Sequence, residues 1–387
     1  MRILFLSAYL PGRGLHGGSS RIFELLHYLH NRHNITLLTF LNRHDDESRV
    51  QDLKKMCQRV DIVPLPGKRP FYLFPFEPFI DYHSEEFSRR LEKILKKEKV
   101  DLVQYEYVQM GLFHEQIPHV PSVLTEHEIN FLALQRQGGF ITRPLRRIKN
   151  YYNSLQMMKR ELEILRQMDR VICMNRTEAQ ALTGYLEADR LTVLPHGVDT
   201  EYFAPRTDVE EEPFTIGFFG AYHHYPNVDA VLHFVNDILP LVKERIPAAH
   251  FQVIGINPPP ELETLGERPD VTVTGFVPDI RTALARCSVI AVPVRLGLGM
   301  RVKMLEAMSM GKPVVATDLA CEGLDFLDGQ HLIMSNKPDT FAESVCYLLQ
   351  DRKCRESLGR EARQLVEERY NYQSIGSQLE NIYEDLI

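Results

Sequence analysis

The chain has 387 residues, 44% hydrophobic and 25% charged, with 45 basic against 52 acidic side chains for a net charge of −7. That length suffices for two or three domains with full cores, and the acidic balance gives no support for nucleic-acid binding. Six scattered cysteines with no C-x-x-C pair read as reduced, buried thiols of a cytosolic protein, indicating neither a disulfide framework nor a metal site.

The opening, MRILFLSAYLPG, has one positive charge and a short apolar run that ends at Pro11 and Gly12. It lacks a small-residue cleavage site, so a buried strand over residues 2–8 is expected in place of a signal peptide. No apolar stretch approaches the ~20 residues that span a bilayer. A cytoplasmic protein is expected, either free or peripheral on the inner face of the plasma membrane.

Strand-like and helix-like segments then alternate almost to the end, which predicts α/β architecture with parallel sheets covered on both faces. Gly12, Gly14, Gly17 and Gly18 follow the first strand and lead into a helix over about 19–32. Glycines at the carboxyl edge of a strand let a backbone approach a phosphate or sugar; the plainer reading is a flexible connection. Next come a strand at 34–41, a helix near 46–59 and a strand at 60–64. Residues 68–83, KRPFYLFPFEPFIDYH, break the pattern with prolines and eight large apolar side chains. They read as a loop packed on the core, or as an aromatic lip for a lipid or sugar acceptor.

A helix over 84–99 leads to strands at 101–105 and 120–125, with Glu126-His127-Glu128 directly after the second. A histidine there is placed for polar contact with a substrate, and its near-neutral pKa suits proton traffic; a structural histidine is the alternative. Residues 136–170 carry nine basic side chains with Tyr151 and Tyr152 among them. The default is a solvated helix face, the sharper reading attachment to anionic lipid. A strand at 170–174 precedes a helix opened by Asn175 with Glu178 three residues on, a capping-box pattern.

Prolines and an acidic run over 193–213 mark a linker and a domain boundary. The alternation then restarts: a strand at 214–219, the loop GAYHHYPN, a helix to about 245, and strands at 250–255, 271–274, 288–294 and 314–317. The restart predicts a second α/β domain, the two facing a cleft. Past residue 338 the chain is helical, and its last segment sets Ile375, Leu379, Ile382 and Leu386 on one face.

LGLGMRVKMLEAMSMGKPVVATD, residues 296–318, carries the strongest functional pattern. An apolar strand enters a turn at Gly297 and Gly299, and a helix follows with Met300, Met304, Ala307 and Met308 at helical spacing until Gly311 stops it. Such a helix aims unpaired N–H groups and the positive end of its dipole beyond the strand, and Arg301 and Lys303 stand in its first turn, which suits a diphosphate. Glu306 is an acceptor for the hydroxyls of an attached sugar. The plainer reading is a tight turn followed by a surface pair of Lys303 with Glu306. The methionine stripe is assigned to core packing.

That string, with HGVDTEYF before it, GFVPD at 275–279 and HGGSSR near the N-terminus, resembles glycosyltransferase family 4. These are retaining transferases with two Rossmann-like, doubly wound domains in the B-type glycosyltransferase fold. The likeness is strong over 193–320, weaker in the N-terminal half, and looks closest to a bacterial subgroup linked to exopolysaccharide assembly. It implies an acceptor-binding domain over 1–200, a nucleotide-sugar-binding domain over 201–370, and a final helix over 371–387 crossing back to the first. It also implies transfer of a hexose-type sugar from a UDP or GDP donor to a saccharide or lipid-linked acceptor, in surface polysaccharide or glycoconjugate synthesis, with no metal and no further cofactor.

Carried over by position, Glu306 is implied to bind the ribose, Arg301 and Lys303 the diphosphate, and His127 to lie near the reacting sugar, these four forming the implied catalytic set. Gly17 and Gly18 belong to the implied loop that closes on the donor, residues near Val277 hold the base, and Tyr222, His223, Leu298, Gly299 and Met300 complete the donor contacts. Two departures stand out. Leu298 replaces a second glutamate common in the family, and Ala221, Tyr222, His223 and His224 replace a loop arginine and lysine, leaving the diphosphate to Arg301 and Lys303. No D-x-D triplet, the metal-holding pattern of A-type transferases, occurs. Two alternatives stay open: an epimerase or hydrolase of sugar nucleotides with the same fold, and a catalytically silent nucleotide-sugar-binding partner.

Overall fold

Runs such as RILFLS, LVQYE, SVLTE and VIAV are buried along almost every residue. Continuous burial without alternation is what parallel strands show when helices cover both faces of a sheet. In the structure, a computed structural model describing residues 1–13, 17–42, 49–66, 76–139, 141, 143–297 and 300–387, these runs build two sheets.

The first holds β1 (Arg2–Ser7), β2 (Asn34–Leu41), β3 (Arg59–Pro64), β4 (Leu102–Glu106), β5 (Ser122–Glu126), β6 (Arg170–Cys173) and β7 (Leu191–Val193) in the order β3-β2-β1-β4-β5-β6-β7. The second holds β8 (Thr215–Phe219), β9 (His250–Ile254), β10 (Val271–Gly275), β11 (Val289–Val292), β12 (Val314–Ala316) and β13 (Ile333–Met334) in the order β10-β9-β8-β11-β12-β13. All pairings between these strands are parallel. In each sheet the order reverses beside its first strand, at β1/β4 and β8/β11, and the carboxyl ends of strands at such a reversal are where ligands of open α/β sheets bind.

Residues Met1–Pro195 with Ile375–Ile387 form one compact unit, and His196–Ser374 the other. The last helix, Tyr372–Glu384, buries Ile375, Leu379, Ile382 and Tyr383. Its Glu380 accepts from Tyr28 Oη at 2.9 Å and Arg32 at 2.6 Å, and meets His33 Nε2 at 2.8 Å. Gly376 lies flat on the Tyr28 ring, where a Cβ would come within 2.2 Å of a ring carbon.

Several expectations need correction. β7 ends at Val193, where the stretch read as linker begins, and neither it nor β13 was anticipated; at three and two residues they are too short to carry a period. The second helix is confined to Val50–Met56 among the described residues. Glu126 does not follow β5 but ends it, fully buried. Gly14, residues 46–48 and 68–75, and the expected donor contacts Leu298 and Gly299 lie outside the described residues. No helix among the described residues is long and apolar enough to cross a membrane.

Candidate functional site

In the second unit, β11 leads toward Gly297, whose φ of +98° suits glycine. The helix that follows spans Val302–Ser309, so Arg301 is its capping residue and stands just before the first turn expected to contain it. Arg301 Nη2 donates to the Leu296 carbonyl at 3.3 Å. Lys303, one residue into the helix, does not form the surface pair that spacing allowed. Its Nζ donates to Asn227 Oδ1 at 2.7 Å and sits 4.2 Å from the centre of the Phe218 ring, a cation–π contact. Asn227 is oriented for this by donating to the Ala221 carbonyl at 2.8 Å.

Gly220, just past β8, makes the room. A Cβ there would lie 2.9 Å from both Lys303 Nζ and Asn227 Nδ2. On its other side Gly255, at φ +141°, presses so close that a Cβ would stand 1.9 Å from the Gly220 carbonyl oxygen. Two glycines thus let two strand ends and an ammonium share a space no side chain would leave.

Lys303 and Glu306 keep some accessible surface, yet enough protein surrounds them for desolvation to dominate. Burial pushes the Lys303 ammonium down to about 7, with Arg301 lowering it further and Glu306 opposing. Burial pushes the Glu306 carboxyl up to about 7 against the pull of Lys303. Each charge is weakly held by the protein's own groups, and a ligand carrying the complementary group would restore it.

Other expected donor contacts are placed unevenly. Tyr222 is buried, its hydroxyl donates to the Ile254 carbonyl at 3.2 Å and its backbone N–H to the Ile256 carbonyl at 3.0 Å, so the residue belongs to the core. His223 is exposed, its ring 4.7 Å from that of His224. Met300 and Val277 pack half-buried on the core, while Phe276 beside Val277 is 74% exposed.

In the first unit the helix Gly17–Leu29 opens at the two expected glycines. A Cβ on Gly18 would lie 1.7 Å from the Tyr107 hydroxyl and 3.1 Å from His127 Nδ1, so the structure brings Gly18 and His127 together and admits only glycine there. The His127 ring stacks on Tyr107 at 3.9 Å, and its Nε2 meets Glu106 Oε2 at 2.7 Å. Burial lowers the pKa of His127; Glu106 opposes that shift and the nearby Arg21 guanidinium adds to it. Of its neighbours in the triplet, Glu128 is exposed. Glu126 is pushed well above the usual carboxylate range by burial, with Glu161 and Glu178 adding, and its Oε2 has no hydrogen-bond partner among the described residues.

Glu106, Tyr107, Gly220 and Asn227 escaped sequence reasoning. Glu106 had a signal: a carboxylate ending an otherwise buried strand, LVQYE, must find a partner. Asn227 sat within the loop read as lacking cations, and nothing local revealed that it holds a lysine 76 positions away. Among the described residues no group of three or more His, Cys, Asp or Glu is arranged to hold a metal ion.

Comparison with known proteins gives this geometry a context. Residues 15–202 match the model of Glycosyltransferase Family 4, and residues 213–351 that of Glycosyl transferases group 1. An uncharacterized glycosyltransferase of Methanocaldococcus jannaschii is 22% identical over 76% of this chain and 78% of its own length. The phosphatidyl-myo-inositol mannosyltransferase of Mycobacterium tuberculosis is 28% identical over 49% of this chain, a match spanning 53% of that protein. Among solved structures, sucrose-phosphate synthase from Thermosynechococcus elongatus superposes with a TM-score of 0.73 at 16% identity, covering 100% of this chain and 99% of that one. HepE of Anabaena, solved with UDP and glucose, gives 0.71 at 14% identity over 99% of both chains. At such identities the solved structures speak for the fold, and the two domain matches, which together span most of the chain, speak for the family. Two parallel Rossmann-like sheets carrying these matches show that the chain is a glycosyltransferase of the family 4 type, with the B-type fold.

Proposed function

We propose that the enzyme moves a hexose-type sugar from a UDP- or GDP-sugar to a saccharide or lipid-linked acceptor with retention of configuration and without a metal, in the synthesis of surface polysaccharide or glycoconjugate. The observation that carries this reading is Lys303: an ammonium held by Asn227 against the Gly220 backbone, at the start of a helix, with Arg301 beside it. Breaking the bond from anomeric carbon to diphosphate spreads negative charge onto the leaving group. Fixed cations and helix N–H groups aimed there stabilise that charge more than they stabilise the bound donor. Glu306 accepts from the ribose hydroxyls, residues around Val277 take the base, and His127 meets the reacting sugar. Structural neighbours solved with UDP and with UDP-glucose support a nucleotide-sugar donor.

The test is a panel of UDP- and GDP-hexoses offered with saccharide and lipid-linked acceptors, products being read by mass spectrometry and the anomeric configuration by NMR. Transfer with retention, unchanged by EDTA and lost in Arg301→Ala, is the expected result. Strong EDTA inhibition, or sugar release with no acceptor product, overturns it.

We further infer peripheral attachment to an anionic membrane, at the inner face of the plasma membrane, through the helix Pro144–Leu165. Leu145, Ile148, Tyr151 and Leu155 are 83%, 66%, 62% and 41% exposed, and their spacing sets them along one stripe. Residues 143–160 carry six basic and no acidic side chains in a chain of net charge −7. An apolar stripe flanked by cations suits the boundary between headgroups and acyl chains. The protein should co-sediment with phosphatidylglycerol vesicles and not with phosphatidylcholine vesicles, and Leu145→Asp with Ile148→Asp should abolish this; equal binding to both vesicle types would refute it.

A further inference from the structure

Behind His127 runs a line of buried polar side chains that ends on the last helix. Tyr383 Oη donates to Gln104 Oε1 at 3.0 Å. Gln104 Nε2 donates to Glu106 Oε1 at 3.1 Å and to Thr125 Oγ1 at 2.8 Å. Glu106 Oε2 accepts from His127 Nε2 at 2.7 Å. Tyr383, Gln104 and Glu106 have no accessible surface, and Thr125 has 1%.

The direction of this line is set by chemistry. An ionised Glu106 only accepts, so the Gln104 group facing it must be the NH2, and the carboxamide oxygen is left to face Tyr383, which donates. Reversing the amide would set its oxygen against a carboxylate and strand the tyrosine hydroxyl in a dry core. The other oxygen of Glu106 then requires a proton on His127 Nε2. In the neutral ring this leaves the Nδ1 lone pair bare, on the side where Gly18 comes within a methyl group's width.

We propose that Tyr383 is a positioning residue for His127: acting through Gln104 and Glu106, it fixes the imidazole as the Nε2–H tautomer with Nδ1 presented as a hydrogen-bond acceptor beside Gly18. The groups facing the ring are Glu106 and Tyr107 from the end of β4, and Gly18 and the Arg21 guanidinium from the first helix. Arg21 disfavours a second positive charge, in keeping with a ring that works neutral, as an acceptor. In the proposed transfer that acceptor would take a hydrogen bond from a sugar hydroxyl. This catalytic meaning rests on the proposed function; the tautomer does not.

The test is long-range 15N–1H NMR of the full-length protein labelled at histidine, with His127→Asn to assign the ring. Expected is a protonated Nε2 and a bare Nδ1. In Tyr383→Phe the Gln104 amide is free to turn its oxygen toward Glu106, which favours the protonated carboxyl, a donor to Nε2 that leaves the ring proton on Nδ1. The expected changes are a mixture of tautomers, a lowered His127 titration midpoint, and roughly a tenfold loss in kcat with KM unchanged. Gln104→Met, which cuts the line from β4 rather than from the last helix, should give the same spectrum and guards against a folding defect peculiar to one variant. A protonated Nδ1 in the unaltered protein, or a ring signal and titration untouched by both substitutions, overturns the proposal. A shifted tautomer with unchanged turnover supports the line and overturns the catalytic assignment of His127, so the two fail separately.

Discussion

Lys303→Met is expected to lower kcat/KM by roughly 10²–10³-fold, the loss that follows removal of one preorganised donor to a developing anion. The substitution keeps length and packing over Phe218 while deleting the charge, and Asn227 retains its bond to the Ala221 carbonyl, so folding should be spared. The same side chain predicts a proton signature. Burial holds the ammonium down to about 7, so at pH 8 much of it is neutral, and a bound diphosphate that restores the charge must draw in a proton. Glu306 does the opposite. Its carboxyl, pushed up to about 7, is largely protonated at pH 6 and gives up its proton when sugar hydroxyls donate to it.

Uptake above neutrality makes affinity fall as pH rises, and release below makes it climb, so UDP affinity should peak near pH 7. Titration calorimetry in buffers of different ionisation enthalpy reads both signs. Lys303→Met should abolish the uptake alone, Glu306→Gln the release alone. Unaltered proton exchange in Lys303→Met would show that the ammonium does not face the ligand.

Gly255→Ala is expected to cost about 3 kcal/mol or more of stability, among the larger effects of a single methyl. Two penalties coincide. The backbone sits at φ +141°, and the new Cβ would stand 1.9 Å from a carbonyl oxygen that no side-chain rotation can move. Relief requires β8 and β9 to part, which carries Gly220 away from Asn227 and Lys303. Denaturant unfolding should show the lost stability, and UDP affinity should drop in the fraction that stays folded. A variant as stable as the parent would mean that the two strand ends do not touch.

The fold was legible because its cause is local. Uninterrupted apolar runs separated by amphipathic segments have few ways to hide except as parallel strands under helices. The restart of that alternation near residue 214 announced a second sheet, and Asn175 capping Glu178 N at 2.8 Å shows how far short-range chemistry can be read. The site was legible only in part. Spacing set Lys303 and Glu306 on one helix, but which way Lys303 points is decided by Asn227, Phe218 and Gly220, all distant in the chain. Tyr222 shows the converse, a position in the right loop whose side chain belongs to the core. Glu106 ends β4 and Tyr107 follows it while His127 follows β5, and only the pairing of those strands makes them neighbours.

The interleaving of the two units has a consequence for synthesis. Ile375–Ile387 completes the unit that begins at Met1, yet leaves the ribosome only after the whole of His196–Ser374. At the usual 5–20 residues per second that is a delay of roughly ten to forty seconds, during which the nascent first sheet holds Gln104 and Glu106 with no tyrosine to complete their line. The histidine on which they bear is therefore among the last parts of the newborn enzyme to mature.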